Sequence, residues 1–204
     1  MKLRHYFIAI LLFVCSQVSA QANNEAQTLV METSRSMLQS ISSQRDDIKQ
    51  HPNHLYKLVD DILLPHIDFE YMSRLVLGKY WRRASSDQRE AFVAQFRNLL
   101  IRTYATALFE YEGQPIEFLP LRATSEATDV TVRSVIQPKS GQGIPVNYGM
   151  YLKDGQWKLY DISIDGISLI HNYRTSFSSQ IRRDPDGLNA LINKLASHNL
   201  QAQK

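Results

Sequence analysis

The stretch DISIDGISLIHNYRTSF, residues 161–177, gathers side chains that could do acid–base and nucleophilic chemistry. His171 could act as a base, Ser168 as a nucleophile, and Asp161 or Asp165 as the acid that orients the base. Ser168 and His171, three positions apart, can touch on one helix, but no GxSxG elbow or Gly-rich oxyanion loop lies nearby. A hydrolase or an isomerase that uses these residues is therefore one of the functions the sequence leaves open.

The same stretch is also typical of a strand that turns into a helix. Asp165-Gly166 is a turn signal, and Asp165 or Ser163 could cap the helix that follows. One face of that helix would be apolar and would carry Ile167, Ile170, Tyr173 and Phe177. This interpretation predicts that the polar residues shape the chain and that the apolar ones carry the function.

Histidines and carboxylates elsewhere do not form a recognisable metal motif. The nearest groupings are three positions apart or flank a turn, and they comprise His51 and His54 with Asp60 and Asp61, and His66 with Asp68. None has the HExxH spacing or a comparable one. We expect these histidines to be solvated or to cap helices, and we predict no metal site.

The first twenty residues, MKLRHYFIAILLFVCSQVSA, have the three parts of a secretory signal peptide. Basic residues precede an apolar run too short to span a bilayer, and Val18-Ser19-Ala20 has the spacing of a cleavage site. Cys15, the single cysteine, lies inside this segment and is not preceded by the small residue that a lipoprotein anchor needs. We therefore predict a signal peptide over residues 1–20 and one domain over residues 21–204, exported from the cytoplasm and without disulfides.

The charge balance argues against nucleic-acid binding. The chain has 23 basic and 20 acidic residues, and the predicted signal peptide contains two of the basic ones and none of the acidic ones, so the processed chain has a net charge of about +1. No basic tract with interleaved aromatic residues occurs. We predict no nucleic-acid partner.

Helical periodicity occupies the first half of the processed chain and its end. The clearest helix is predicted over residues 85–112, where Ser85 and Gln88 form a capping box and Gly113 ends the helix. Gly78 is predicted to end the helix before it. The helices are expected at residues 24–43, 53–64, 69–77, 85–112, 167–182 and 186–200.

Between these helices the period changes to two, as in strands with one apolar face. Strands are expected at residues 116–121, 128–137, 144–153 and 157–164, with a hairpin turn at Asp154-Gly155 and a bulge near Tyr160-Asp161. We predict an α+β fold in which N- and C-terminal helices pack on one face of a curved antiparallel sheet of about four strands.

Large apolar side chains on the sheet face and on the helices that would face it could line a cavity for an apolar ligand. Such stripes also form solid cores, and the sequence leaves both possibilities open, together with a module that binds only protein. The predicted lining consists of Leu75, Val76, Phe92, Phe96, Leu99, Leu100, Tyr104, Val130, Val132, Val146, Tyr148, Met150, Leu152, Trp157, Leu159, Ile170, Tyr173 and Phe177.

Three sequence strings resemble the Mla (toluene-tolerance) family of periplasmic phospholipid-binding proteins. They are LVLGKYWRRASSDQREAFVAQFRNLLIRTYA at 75–105, NYGMYLKDGQWKLYDISIDGISLI at 147–170, and the NYRTSF that follows. The two long strings in this order are fairly specific, and the order of elements extends the resemblance over the processed chain. We therefore expect a family member.

This resemblance implies a fold similar to the NTF2-like cone, with an apolar cavity that holds the acyl tails of a phospholipid. It also implies a carrier, not an enzyme, that shuttles lipid between an outer-membrane lipoprotein–porin complex and an inner-membrane ABC transporter with its periplasmic lipid-binding subunit. Outer-membrane lipid asymmetry would be maintained in this way. No cofactor is expected, because the phospholipid is cargo. Beside Tyr80-Trp81, the basic residues Lys79, Arg82 and Arg83 would contact the phosphate, dock a partner, or simply form a solvated turn.

Overall fold

The computed structural model describes residues 19–124 and 126–201, and side chains from residue 25 to residue 200. Residues 1–18 of the predicted signal peptide lie outside the described residues. None of the described helices is long and apolar enough to cross a membrane. The helices are α1 (Ser19–Ser43), α2 (Arg45–Gln50), α3 (Asn53–Ile62), α4 (Phe69–Leu77), α5 (Lys79–Arg83), α6 (Ser86–Phe109), α7 (Leu169–Arg183) and α8 (Leu188–Gln201).

Local signals in the sequence explain where the helices begin and end. The Ser85 side chain accepts a hydrogen bond from the backbone N–H of Gln88, and the Gln88 side chain accepts one from the backbone N–H of Ser85. The predicted capping box therefore starts α6. The Asp68 side chain caps α4 by accepting the N–H of Tyr71. Gly78 has φ +54°, a conformation that favours glycine, and it separates α4 from α5.

The sheet has five antiparallel strands in the order β1-β2-β3-β4-β5. Their bounds are β1 (Ile116–Phe118), β2 (Asp129–Ile136), β3 (Ile144–Lys153), β4 (Gln156–Ile164) and β5 (Ile167–Ser168). The predicted α+β class is confirmed, but five strands replace the predicted four. The additional strand forms because Asp165 and Gly166 both have positive φ and close a second tight hairpin, so α7 begins at Leu169 instead of residue 167.

Two predicted irregularities of the sheet are confirmed. Asp154 and Gly155 connect β3 to β4 with positive φ at both positions, as a type I′ turn requires. The β3–β4 register shifts between Gly149, which pairs with Asp161, and Met150, which pairs with Leu159. Tyr160 is thus the extra residue of a bulge.

Three apolar clusters make up the interior. The helical cluster contains residues of all the helices from α4 to α8, packed around Phe92, Phe96 and Phe177. The sheet cluster places α1 on the apolar sheet face, around Val132 and Met150. The third cluster joins the second half of α1 to α3 and α6, and it comprises Met37, Ile41, Ile48, Leu55, Val59 and Ala105.

The predicted lining is therefore divided. Val130, Val132, Met150, Trp157 and Leu159 face α1, whereas the predicted residues of α4, α6 and α7 belong to the helical cluster. The expectation that these helices lie directly over the apolar sheet face is wrong, because α1 occupies that position. The two clusters meet at Ile67, which packs against both.

Candidate functional site

The apolar sheet face is closed by α1 toward one end, apart from Leu152 beside the β3–β4 turn, and it is open at the other. Cross-strand register aligns Val130 with Met150 and Leu159, and it aligns Val132 with Tyr148 and Ile162 in the next row. In the first row all three side chains are buried, since Ala26 and Val30 of α1 pack in the same cluster.

At the other end the same face becomes exposed. Val146 pairs with Ile164, and Ile164 pairs with Ile167, so a row continues across β3, β4 and β5. Val146 is buried, but Ile144, Ile164 and Ile167 are 39%, 38% and 62% exposed. We call these three isoleucines the open end of the sheet. Beyond the sheet cluster, Met37 and Ile41 in the second half of α1 pack against α3 and α6.

Tyr148 lies between the closed and open ends, on the central strand. Burial raises the pKa of its phenol, and hydrogen bonds with Ser134 and Ser34 offset part of that effect. Its side chain and that of its cross-strand partner Ile162 nevertheless keep part of their surface accessible. Because β3 is not an edge strand, this accessible surface indicates that α1 covers the sheet incompletely here.

The helical cluster is packed by its own aromatic rings. Phe92 stacks on Phe96 with centroids 5.6 Å apart, and Phe177 lies edge-on to both at 5.9 Å. Tyr173 contacts Phe96 at 5.3 Å. Burial raises the pKa of Tyr104 to about 12, with a further contribution from its hydrogen bond to Tyr173. These predicted lining residues support one another, and Phe92 and Phe96 have no exposed surface.

Two surface grooves have different walls from the predicted cavity. One, of about 330 Å³, lies at the β3–β4 hairpin and is lined by Ile67, Asp68, Phe69, Lys153, Asp154, Gln156 and Lys158. The other, of about 340 Å³, is lined by Leu38, Ile41, Ser42, Arg45, Tyr111, Glu112 and Gly113. Neither includes a predicted lining residue.

Asp68, in the wall of the first groove, connects the helices to the sheet. Its carboxylate accepts hydrogen bonds from the Tyr151 hydroxyl and, at 2.6 Å, from Lys153 Nζ. Burial alone would raise the pKa of this carboxyl, but the bonds from Lys153, Tyr151 and the Tyr71 N–H outweigh it and lower the pKa. The backbone N–H of Asp68 also donates to the Leu159 carbonyl at 3.0 Å. The start of α4 is thereby attached to the β4 edge.

The residues that could have formed a catalytic triad hold the start of α7. The Asp161 carboxylate accepts the Ser168 hydroxyl at 2.6 Å and the backbone N–H of Ile170 at 3.1 Å. Ser168 in turn caps the helix by accepting the backbone N–H of His171, not its ring, at 3.0 Å. The predicted cap by Asp165 or Ser163 is therefore wrong: β5 moves the helix start to Leu169, and Ser168 then becomes the cap.

The histidine groupings considered above lie apart from one another. His54 Nδ1 is 2.5 Å from the Asp47 carboxylate, and its ring lies 5.3 Å from that of His51. Burial, together with the charge of Lys158, lowers the pKa of His66. Among the described residues, no three His, Cys, Asp or Glu side chains are close enough to hold a metal ion.

The predicted basic residues lie on α5 at the surface. Lys79, Arg82 and Arg83 are exposed, and Lys79 Nζ lies 5.2 Å from the centre of the Tyr80 ring. Trp81, in contrast, is buried in the helical cluster. These three cations are remote in chain position from the open end of the sheet and belong to a different layer.

The sequence does not predict that α1 covers the sheet face or that the face is exposed at its open end. Leu29, Ile67, Phe118 and Ile162 are partly buried against the sheet cluster, and none was in the predicted lining. Alternation along β4 does mark Ile162 and Ile164, but the path of α1 has no local signal. Leu152, which was predicted to line the cavity, is 36% exposed beside the hairpin turn.

Comparisons with known proteins extend over nearly the whole described chain. The family model for MlaC protein matches residues 31–197. The chain is 28% identical to the "Intermembrane phospholipid transport system binding protein MlaC" of Haemophilus influenzae, over 87% of this chain and 83% of that one. It is 25% identical to "Toluene tolerance protein ttg2D" of Pseudomonas putida, over 98% and 92%.

The fold is also found among solved structures. A phospholipid-binding protein from Ralstonia solanacearum in complex with a phospholipid aligns with a TM-score of 0.81 and 30% identity. The alignment covers 88% of this chain and 99% of the other.

Proposed function

The chain belongs to the MlaC protein family, and from this we infer that it is a periplasmic carrier that binds phospholipid for transport between membranes. The observation that carries this inference is the match, along almost its full length, to a structure that contains a phospholipid. Two relatives are named for phospholipid transport or toluene tolerance, and neither name describes an enzyme.

We place the acyl tails against the incompletely covered half of the apolar sheet face. Tyr148 and Ile162 keep accessible surface there in the middle of the sheet, and along β4 the face continues from Ile162 to the exposed Ile164 and its partner Ile167. A tail that lies along this face would bury apolar surface on both partners. The closed helical cluster would act as a rigid wall, and further space would come from movement of the helices relative to the sheet.

The transport route follows the family resemblance. The carrier receives or delivers lipid at an outer-membrane lipoprotein–porin complex and at an inner-membrane ABC transporter with a periplasmic lipid-binding subunit, and so maintains lipid asymmetry. The predicted signal peptide over residues 1–20 accounts for export to the periplasm. On this account the phospholipid is cargo, and no cofactor takes part.

Mass spectrometry of the gently purified protein tests this function. We expect phospholipid at about one molecule per chain after extraction with organic solvent. The double substitution Ile144→Glu and Ile164→Glu should lower that content several-fold while preserving the fold, because both side chains are already partly exposed.

The control is Leu152→Glu, which places one glutamate on a similarly exposed residue of the same sheet face beside the β3–β4 turn, and it is compared with Ile164→Glu alone so that each variant adds one charge. The control should retain the lipid. Absence of phospholipid from the unmodified protein would contradict the proposed function, whereas equal loss in both variants would contradict only the proposed position of the tails.

A further inference from the structure

Two neighbouring helices carry only positive charges. α5 reads KYWRR and α7 reads LIHNYRTSFSSQIRR, and neither contains an aspartate or a glutamate. Their cations are all exposed, and they are Lys79, Arg82, Arg83, Arg174, Arg182 and Arg183. We call this set the basic face.

The cations of the basic face make no ion pair, whereas several cations elsewhere do. On α2, α3 and α6, Lys49 pairs with Asp46, Lys57 with Asp61, and Arg97 with Asp60. No cation of the basic face makes an ion pair with any carboxylate in the described part of the chain. Their charge is therefore available to a partner.

The fold brings these cations to one end of the molecule. α4 is attached to β4 by the bond from the Asp68 N–H to the Leu159 carbonyl, and α7 is attached to β4 by the bond from the Ile170 N–H to Asp161. The two helices pack side by side, and because both begin at β4, each extends from the sheet toward its own C-terminal end. α5, which follows α4, and the arginines that end α7 consequently lie at the end remote from the sheet.

A direct contact joins the two helices of the basic face. The Arg174 guanidinium lies over Gly78, where an added Cβ would be 3.2 Å from Nη2. Arg174 thus lies beside the residue that directly precedes α5. Gly78 permits this approach because it has no side chain.

The first carboxylate after each of these helices in sequence makes a local hydrogen bond. Asp184, directly after α7, accepts the backbone N–H of Asp186 at 3.0 Å. Asp87, in the first turn of α6, lies at the positive end of that helix and accepts the Ser86 hydroxyl. Neither forms an ion pair with an arginine of the basic face.

We propose that the basic face docks the protein on the surface of a bilayer rich in anionic phospholipid. Six cations spread over two helices match an extended negative surface, and the partly exposed Tyr80 beside Lys79 is the kind of residue found at membrane interfaces. The proposal rests on the proposed function, because the complexes with which the carrier exchanges lipid lie in membranes, and docking on the surrounding bilayer would hold the carrier beside them.

The distribution of charge would orient the molecule as well as attract it. The processed chain is nearly neutral overall, so an attraction to anionic lipid depends on a local concentration of positive charge such as the basic face and not on net charge. Docking by the end remote from the sheet leaves the open end of the sheet free to meet a protein partner. Attraction of this kind falls off within a Debye length, about 10 Å at 0.1 M salt, so it should be weakened by added salt.

Flotation of the processed protein with vesicles tests the proposal. We expect binding to vesicles of equal parts phosphatidylglycerol and phosphatidylcholine, and little binding to phosphatidylcholine alone. The double substitution Arg82→Glu and Arg83→Glu should weaken binding roughly tenfold or more. Arg82→Lys with Arg83→Lys should preserve it, because the charge is unchanged.

The control is Arg35→Glu with Lys194→Glu, which makes the same change in net charge on exposed residues of α1 and α8. It should bind as the unmodified protein does. Equal binding to both kinds of vesicle, no binding to either, or equal loss in the control would overturn the proposal.

Lipid content measured on the same preparations separates the two proposals. If the glutamate variant keeps its phospholipid but no longer floats with anionic vesicles, docking and cargo binding are separate, as we propose. If the unmodified protein does not dock on vesicles but binds an acidic protein through these cations, the basic face serves a protein partner. That result would likewise overturn membrane docking.

Discussion

Asp68 shows how one side chain can serve two layers of the molecule. Its carboxylate caps α4 and at the same time accepts bonds from Tyr151 and Lys153 of β3. The residue is 9% exposed, so its charge is compensated almost entirely by these donors. A buried carboxylate with several donors stabilises the fold only while it is ionised.

We expect Asp68→Asn to lower the free energy of unfolding by about 1–2 kcal/mol at pH 7, because the charged partner of Lys153 is lost. The pKa of Asp68 in the folded protein lies below its ordinary value of 3.8. Its stabilising contribution is therefore present above pH 3.8 and is lost as the pH falls through the lower, folded value. Urea denaturation at several pH values measures this.

The variant Asp61→Asn is the comparison, since Asp61 forms an exposed pair with Lys57 and should affect stability much less. A difference between unmodified protein and Asp68→Asn that persists unchanged well below pH 3.8 would contradict the role assigned to the carboxylate.

At the scale of elements, the junction of β4, β5 and α7 shows how polar residues direct an apolar helix. Asp161 and Ser168 satisfy backbone N–H groups at the start of α7, which otherwise lack partners. The helix then places Ile170, Phe177 and Ile181 in the helical cluster. The function of these polar residues in the described contacts is to position a helix.

We expect Asp161→Ala to destabilise the protein by about 1–2 kcal/mol, because it removes bonds to Ile170 and Ser168. Asp165→Asn should be nearly neutral, since asparagine also tolerates the positive φ of that turn. Thermal unfolding of Asp161→Ala, Asp165→Asn and His171→Ala measures how much each side chain contributes to stability.

Lipid content of the same variants bears on the alternative of a hydrolase or isomerase. If the unmodified protein has no hydrolytic or isomerising activity and all three variants fold and carry phospholipid as it does, these residues are structural. A hydrolytic or isomerising activity that disappears in His171→Ala, with lipid content unchanged, would support the enzyme instead.

At the scale of the whole molecule, the free energy gained by burying the lipid tails is comparable to the free energy that stabilises the fold. Two acyl tails hold about 30 methylenes, and at ~0.8 kcal/mol each their removal from water is worth on the order of 20 kcal/mol. A typical domain is stable by only ~5–15 kcal/mol. Release into water would therefore be slow, and we expect discharge to be coupled to docking on a membrane or a protein complex.

We expect the lipid-filled protein to melt well above the stripped protein. Ligand at about a thousand times its dissociation constant adds roughly 4 kcal/mol, which corresponds to about 10 °C for a domain of this size. Calorimetry before and after delipidation measures the shift. Equal melting temperatures, or free exchange of lipid by the stripped protein without membranes or partners, would count against a tail-filled site.

The sequence by itself determined the features that depend on near neighbours in the chain. The capping box at Ser85, the Asp154-Gly155 turn and the bulge at Tyr160 are each specified within a few residues, and the structure has all three. The α+β order and the family resemblance were also readable, because both extend along the whole chain. The two-residue strand β5 was missed because it is too short to show a period.

Only the tertiary structure decided which apolar faces meet. Phe96 on α6 and Met150 on β3 both belong to clearly apolar faces. They lie in different clusters because α1 crosses the sheet face. The open end of the sheet and the approach of Arg174 to Gly78 likewise depend on contacts between segments distant in sequence. Hydrophobic burial has no direction, so periodicity tells which side of an element is buried and not which partner covers it.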